Sequence, residues 1–449
     1  MFRRVIVSRP VLATLSLSCG ALALNATAKE KQVPTLSSLV RAYVVFSLCS
    51  LPSLVDASPH ILSFLSAVPV LRQTSDAFLR LTFFHQFVGA ETVDGCIPLL
   101  HTLRKSNQGA LFSYSVEQLH SSPSSSQHAL HSILHSIDIA ADFDNTPSTW
   151  VAIKLSTLLP DPSSLRLLSS SIIIHQNKLH PTQIPFPYAP NTHHIPLIQH
   201  LLSLQSLLSN LRAICSHAKS RNIKLTIDAE ESWFQPAIDI FSILLMQEFN
   251  SPNSSPLVYS TIQAYLTRTP SFLNFLINHA KSNDYSLGIK LVRGAYIDAE
   301  IHAHAHPQSL SISPDKDPPT FPEKALTDDA YNHCVRVLVR EVASNPAIAV
   351  LFGTHNWDSS RLVLDEIVNV GLGKRVDNEK ILLSERARKG VCMAQLYGTF
   401  FPLSLSLSLL LTRLRHVGFP RFLSRRQNIS RPTSLLSLCH PIHPLWSSS

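Results

Sequence analysis

Six short groups of polar side chains in this sequence could do chemistry, and each directly follows an apolar run. They are Lys154; Asp228-Ala-Glu230-Glu231; Gln263-Ala-Tyr265; Lys290-Leu-Val-Arg293-Gly-Ala-Tyr296; Thr354-His355-Asn356; and Gln395. Lysine and arginine beside carboxylates can hold a small charged molecule through charge-assisted hydrogen bonds. Taken singly, Asp228 or Thr354 is an ordinary helix cap, and Lys290 is a strand-end lysine with its head in water. Six such groups in succession point to one shared pocket. Glu230 and Glu231 could form an acid/base pair, but charges at a helix start are the simpler reading. His302 and His306 lie four apart, with His304 between them, yet no acidic or cysteine ligand stands at a matching spacing, so no metal is expected. Seven cysteines, an odd number without a CxxC spacing, fit neither a disulfide framework nor a zinc module. They suit a reducing compartment.

The elements that must position these groups alternate in type. Apolar runs at Ala110–Ser115, Val151–Leu155, Ile223–Ile227, Leu257–Ser260, Ile289–Val292, Ala347–Phe352 and Val391–Leu396 read as strands buried on both faces. Helical patterns lie between them at Pro236–Phe249, Pro270–Ser282, Asp328–Ala343 and Ser359–Asn369, with Pro270 suited to a first helical position. Repeated strand–helix units predict a parallel α/β fold, with a (β/α)₈ barrel the natural candidate and chemistry at the carboxyl ends of its strands. A doubly wound sheet is the alternative. With 12 glycines in 449 residues, no GxGxxG dinucleotide loop follows any strand. The Pro-, Ser- and His-rich segment Pro160–Ile198 reads as a loop excursion. Residues 56–108 read as helical, with Phe83, Phe84, Phe87 and Val88 on one face.

Charge is unevenly placed. The formal net charge is +8, but residues 1–29 carry +4 through Arg3, Arg4, Arg9 and Lys29 with no acid. Residues 386–449 hold nine Lys/Arg and no acid. Between them, 25 basic and 30 acidic residues leave the middle mildly acidic, which argues against nucleic acid as a partner. The basic, Ser/Ala/Leu-rich start has the composition of a mitochondrial targeting segment; its apolar stretch Val11–Ala28 leaves a secretory signal as the alternative. Leu39–Leu54 contains Arg41 and Pro52, so it reads as a presequence extension or amphipathic helix and not as a membrane span. After Gly398 the composition changes to LSLSLSLLL over Leu403–Leu411 and then to Arg/Ser/Pro/His-rich sequence. Leu–Ser alternation fits a strand, but it is also what a CT repeat encodes. Translated non-coding sequence is therefore one reading of the tail.

IDAEESWFQPAID (Ile227–Asp239), STIQAYL (Ser260–Leu266), IKLVRGAY (Ile289–Tyr296), GTHN (Gly353–Asn356) and AQLYG (Ala394–Gly398) resemble the proline dehydrogenase family, its mitochondrial, fungal branch above all. FFHQFVGAET (Phe83–Thr92) and GALFSYSVE (Gly109–Glu117) resemble the family's leading segment and first strand. The resemblance implies a distorted (β/α)₈ barrel that holds FAD without a Rossmann fold. It implies oxidation of L-proline to 1-pyrroline-5-carboxylate, with electrons passed to a membrane quinone at the inner mitochondrial membrane surface, on its matrix side. By position, Lys154 would face the substrate carboxylate or pair with Asp228, Asp228 would organise the site's charges, and Tyr296 would enclose the proline ring. Gln263 would bond the flavin ring, and Lys290 would sit at its reactive edge, where a cation favours the reduced form. Val292, Arg293, Gly294 and Ala295 would line the flavin. Thr354, His355 and Asn356 would hold its ribityl, pyrophosphate or adenosine portion, with Gln395 closing that side.

The departure follows Gly398. The resemblance implies a last strand and a helix bearing an arginine pair that binds the substrate carboxylate; Arg425-Arg426 is only a faint echo of it. The expected organisation is a targeting segment over 1–29, a helical segment over 30–108, an FAD-binding barrel over 109–398 lacking its eighth strand and last helix, and an atypical tail over 399–449. The expected function is that of a mitochondrial FAD-dependent proline dehydrogenase; the alternatives are an inactive open barrel or a non-catalytic, membrane-associated protein. The basic start should direct import: residues 1–30 fused to a fluorescent reporter are expected in mitochondria, and a cytosolic or secretory signal would refute the assignment.

Overall fold

The structure, a computed structural model, describes residues 36–105, 108–113, 123–143, 149–176, 195–252, 254–306, 310–311, 313, 316–377, 380–399, 411–412 and 435–439. The expected targeting segment, the Leu–Ser alternation over 403–410 and the Arg425-Arg426 pair lie outside these residues. Strands β1 (Gly109–Ser113), β2 (Thr149–Ile153), β3 (Lys224–Ile227), β4 (Val258–Gln263), β5 (Leu287–Val292) and β6 (Ile348–Gly353) follow one another along the chain. A hairpin, β7 (Gly373–Asp377) and β8 (Lys380–Leu383), stands off the main sheet before β9 (Val391–Leu396). Two short strands come from the tail: β10 (Leu411–Thr412), which extends the hairpin, and β11 (Leu435–Cys439).

β9, β6, β5, β4, β3, β2 and β1 form a continuous curl of seven parallel strands. Strand alternation sorts the side chains into two sets. Val151, Ile153, Leu225, Ile227, Leu287, Ile289, Leu291, Val350 and Phe352 face outward into one large core shared with the helices. Leu111, Trp150, Ala152, Tyr259, Ala349, Leu351 and Ala394 form a separate cluster inside the curl. Because both faces are buried, each strand reads as a near-continuous apolar run. The connecting helices begin as their sequences demand: Pro236 and Pro270 sit in first turns, and Asn356 caps the helix Trp357–Asn369 by accepting from the Ser359 N–H at 3.0 Å.

Two expectations are corrected. Pro160–Ile198 is not simply a loop: Ser163–Gln176 is a helix, and another, Ile195–Ser220, begins within that span. Leu165, Leu168 and Ile172 recur at helical spacing on a buried face, while the Ser170 and Ser171 hydroxyls donate back to the Arg166 and Leu167 carbonyls four residues earlier. Serine content conceals the helix because its polar groups bond within it. The second correction concerns the missing eighth strand. β11 lies between β9 and β1 and pairs parallel to both, closing the barrel. The edges of β1 and β9 each present unpaired backbone groups, and a short apolar segment tethered nearby satisfies both rows at once. Among the described residues no helix follows it.

Ahead of the barrel run α1 (Leu36–Cys49), α2 (Pro52–Ala67) and α3 (Pro69–Leu79), then a π-helical turn at Arg80–Phe84 and a short turn at His85–Phe87. This turn touches the barrel's carboxyl rim. Gln86 Nε2 donates to the Gly398 carbonyl at 2.7 Å. Gly398 has φ +72, and a Cβ there would lie 1.6 Å from the Gln86 carbonyl oxygen, so only glycine permits the contact. Closure by β11 is directly testable. Ser437, paired with Ala110 and Gln395, is the central residue of the strand; Ser437→Pro removes a ladder donor and should lower the unfolding midpoint by at least ~3 °C and promote aggregation. An unchanged midpoint would show that the strand contributes nothing to closure.

Candidate active site

The polar groups singled out from the sequence gather on the carboxyl rim of the barrel in two connected sets. The first centres on a buried ion pair. Lys290, on β5, and Asp228, just past β3, both project inward, and Lys290 Nζ meets Asp228 Oδ1 at 2.6 Å with side-chain exposures of 5% and 6%. Thr226 Oγ1 also donates to Asp228 Oδ1, at 3.3 Å. On β4, between them, Thr261 pairs in register with Lys290, and its buried hydroxyl has no partner among the described residues. Gln263, on the same strand, donates its amide to the Glu230 carbonyl at 2.9 Å. Removing either member of the pair would leave the other charge buried and uncompensated, which typically costs about 3–5 kcal/mol.

Glu230 and Glu231 are not solvated helix-start charges. Glu230 is buried and its carboxylate accepts the Ser156 N–H at 3.0 Å. Burial raises its pKa even though that hydrogen bond and the Lys154 cation pull it down. Burial, with the repulsion of Glu230 and Glu300, pushes Glu231 up to about 7 against the opposing effect of Lys154. Glu300 is buried too, accepting from the Ser232 N–H at 2.6 Å and the Ser232 hydroxyl at 2.5 Å, and burial raises it as well. Two of these three carboxyl groups, Glu230 and Glu231, feel the charge of Lys154, which follows β2 half-buried and has no ion pair among the described residues.

The second set joins the ends of β5, β6 and β9. Arg293 is held on every side: its Nε meets Asp328 at 2.7 Å, its two terminal nitrogens meet Thr354 Oγ1 at 2.8 Å and Ser359 Oγ at 2.9 Å, and its plane lies 4.3 Å from the Tyr331 ring. Its charge serves to lock neighbouring strand ends together. Thr354 Oγ1 accepts the Asn356 N–H at 3.1 Å, and Gln395 Nε2 donates to the Thr354 carbonyl at 3.3 Å. His355 Nε2 accepts the Leu396 N–H at 2.9 Å, and burial lowers the ring's pKa. The neutral ring therefore carries its proton on Nδ1. That Nδ1 and the Gln395 Oε1 are both buried without a partner among the described residues.

Lys154, Val292, Gly294, Ala295 and Tyr296 stand on the same rim, at the ends of β2 and β5. Gly294 has φ +118, and a Cβ there would fall 1.5 Å from the Tyr265 ring, so the group closing over its backbone is Tyr265. His302 and His306 stack at 4.2 Å and His306 Nδ1 bonds the His302 carbonyl; among the described residues no cluster of three or more His, Cys, Asp or Glu could hold a metal. Glu300, Asp328, Ser359 and Tyr331 are partners that sequence reasoning missed. An acid in a helix's first turn is commonplace, and nothing local separates Glu300 from any other.

The sequence and the fold have known counterparts. The family model for proline dehydrogenase matches residues 96–399, and its match ends one residue beyond Gly398. Proline dehydrogenase 2, mitochondrial, of Arabidopsis thaliana is 26% identical over 391 residues, covering 83% of this chain and 77% of its own. Hydroxyproline dehydrogenase of Rattus norvegicus is 27% identical over 359 residues, covering 75% of each chain. Among solved structures, proline utilization A from Bdellovibrio bacteriovorus shares the fold with a TM-score of 0.57 and 15% identity; the match covers 90% of this chain but 35% of that longer one. With a family match over two-thirds of its length and the motif groups gathered on one barrel rim, the chain belongs to the proline dehydrogenase family.

Proposed function

We propose that this chain oxidises L-proline to 1-pyrroline-5-carboxylate with FAD bound at the barrel's carboxyl rim, and passes the electrons to a quinone of the inner mitochondrial membrane, on its matrix side. The single observation that carries this reading is the buried Lys290–Asp228 pair at 2.6 Å inside the barrel. A barrel needing only stability would do as well or better with apolar residues there.

The residues present fit FAD. His355 Nδ1 and Gln395 Oε1, a buried donor and a buried acceptor without protein partners, offer what a polar cofactor would take up. Thr354, His355, Asn356 and Gln395 would hold its chain-like portion, and Gln263, Lys290 and the backbone from Val292 to Ala295 its ring. When bound, the flavin would supply a two-electron acceptor. The chain's own residues bind and orient. Lys154 is the rim cation free to meet the substrate carboxylate, because Lys290 is paired with Asp228 and Arg293 with Asp328. Tyr296, at the start of the helix Ile297–Ala305, would close on the proline ring. Hydride leaves carbon readily only beside an unprotonated nitrogen, so the pocket must favour the neutral amine. The Lys154 charge opposes a second cation near it, and the raised pKa of Glu230 and Glu231 limits the negative charge that would favour one.

A second reading, of weakened catalysis, rests on the end of the family match at Thr399, ahead of where the resemblance implies the arginine pair. Two charge-assisted contacts at ~1.5–3 kcal/mol each would be missing, weakening substrate binding by roughly two to four orders of magnitude. Dye-linked oxidation of proline by the purified chain with added FAD, compared with a version carrying a family-like end after Gly398, separates the readings. Equal rates would show that this tail suffices.

Flavin reduction by proline should fall roughly 10²–10³-fold in Lys290→Ala and also in Asp228→Ala. Each single variant should lose stability, while the double variant should recover most of it without recovering turnover. Wild-type reduction rates in the singles would remove the pair from the site. For Glu231, the folded carboxyl binds its proton more tightly than the unfolded one, so its contribution to stability is greatest at low pH and is lost as pH rises toward about 7. Glu231→Gln should therefore stabilise the protein above pH 7 by about 1–3 kcal/mol and flatten the decline between pH 5 and 7 in urea titrations.

A further inference from the structure

The three helices ahead of the barrel leave a large apolar surface without a partner in the chain. Val45 is the one buried residue among 37–85. Tyr43 is 76% exposed, Phe64 68%, Val70 70% and Leu81 67%. Val55, Ile61 and Phe64, all exposed, spread over roughly half the circumference of α2 at 100° per residue. Only Arg41 and Asp56 carry charge between residues 36 and 71.

A protein groove covers one stripe of a helix and borders it with polar groups. Hydrocarbon covers every side and excludes charge. No single helix is long and apolar enough to cross a membrane, but Ser37–Cys49 and Pro52–Ala67 together have the apolar length for it, bent by 94° at their junction. α1 and α2, with 14 and 16 residues, rise roughly 21 and 24 Å, each short of the ~30 Å hydrocarbon core. Length and bend together fit helices embedded in one leaflet. The element is also tied to the site: Phe46 of α1 packs edge-on against Phe87 at 6.0 Å, and the neighbouring Gln86 bonds Gly398 at the rim beyond β9.

We propose that α1, α2 and the apolar start of α3, ahead of its Arg72–Asp76 pair, form an in-plane membrane anchor that inserts into the apolar part of a lipid leaflet and holds the carboxyl rim of the barrel beside the bilayer. The inference rests on the proposed quinone reading only for its purpose, since a lipid-dissolved acceptor would then meet the site without leaving the membrane. Insertion itself needs no turnover.

The test uses the full chain and vesicles of zwitterionic phosphatidylcholine at high salt, where the basic tail gains nothing from surface charge. The chain should float with the vesicles, and Phe64→Glu combined with Val70→Glu should reduce the bound fraction by roughly two orders of magnitude in partition coefficient. Both positions are exposed, so an unchanged unfolding midpoint should accompany the loss. In a second measurement, Tyr43→Trp should give fluorescence quenched by brominated acyl chains. Failure of the chain to float, equal flotation of the double variant, or an unquenched tryptophan would each overturn the proposal. So would cross-linking of the leading helices between two copies in place of vesicle binding. Dye-linked proline oxidation without lipid tests the catalytic reading separately: a chain that floats but does not turn over keeps the anchor and loses the enzyme.

Discussion

A curled sheet of parallel strands has two edges, each a row of backbone donors and acceptors without partners, until its ring is complete. The curl from β1 to β9 is in that condition on its own, and everything on its rim depends on the answer. β11 fills the gap by pairing with both edges. Closure holds the two faces of every strand apart, so that the outward residues share a core with the helices while the inward ones make a dry interior. Only within such an interior can Lys290 and Asp228 meet away from water. A parallel ladder is indifferent to side-chain identity in supplying its hydrogen bonds, which is why a segment unlike the family's expected strand can occupy the place.

The rim's electrostatics follow from how little solvent reaches it. Glu230, Glu231 and Glu300 all have raised pKa with burial as the leading cause, and Lys154 is the cation set against the first two. Arg293 shows the opposite solution: its charge is matched by Asp328 and its remaining donors by Thr354 and Ser359, so it organises strand ends and has little left to offer a ligand. His355 stands between these cases. The Leu396 N–H selects its tautomer and burial keeps it neutral, leaving a donor without a partner among the described residues. Paired groups build the rim, and unpaired ones remain for what binds there.

The leading helices extend the same logic of partners and their absence. Buried against the barrel they would have needed one apolar stripe, but their apolar residues lie on several sides. The turn that follows them, on which Phe46 packs, reaches the rim through the Gln86–Gly398 contact, which the positive φ of Gly398 makes possible. A glycine at the end of the last motif strand thereby joins the carboxyl rim to the turn that follows the exposed apolar helices.

How much of this was legible in the sequence depends on the range of the forces involved. The strand positions could be read because burial on both faces leaves short continuous apolar runs, and Lys290, Asp228, Gln263, Thr354 and His355 could be located because chemistry on a barrel collects where such runs end. The family resemblance rested on the same local strings. The helix Ser163–Gln176 escaped notice because its serines satisfy themselves internally, hiding an apolar face behind polar composition. Glu300, Asp328 and Ser359 could not be picked out, since their partners lie 68, 35 and 66 residues away. β11 was invisible for a related reason: what makes it a strand is the pair of open edges it meets, and those exist only once the other seven have curled. The sequence by itself determined the apolar periods, the polar strand ends and the uneven charge. The tertiary structure alone decided which charges are buried together, which polar atoms are left without partners and what closes the ring, because each of these depends on distances between residues far apart in the chain.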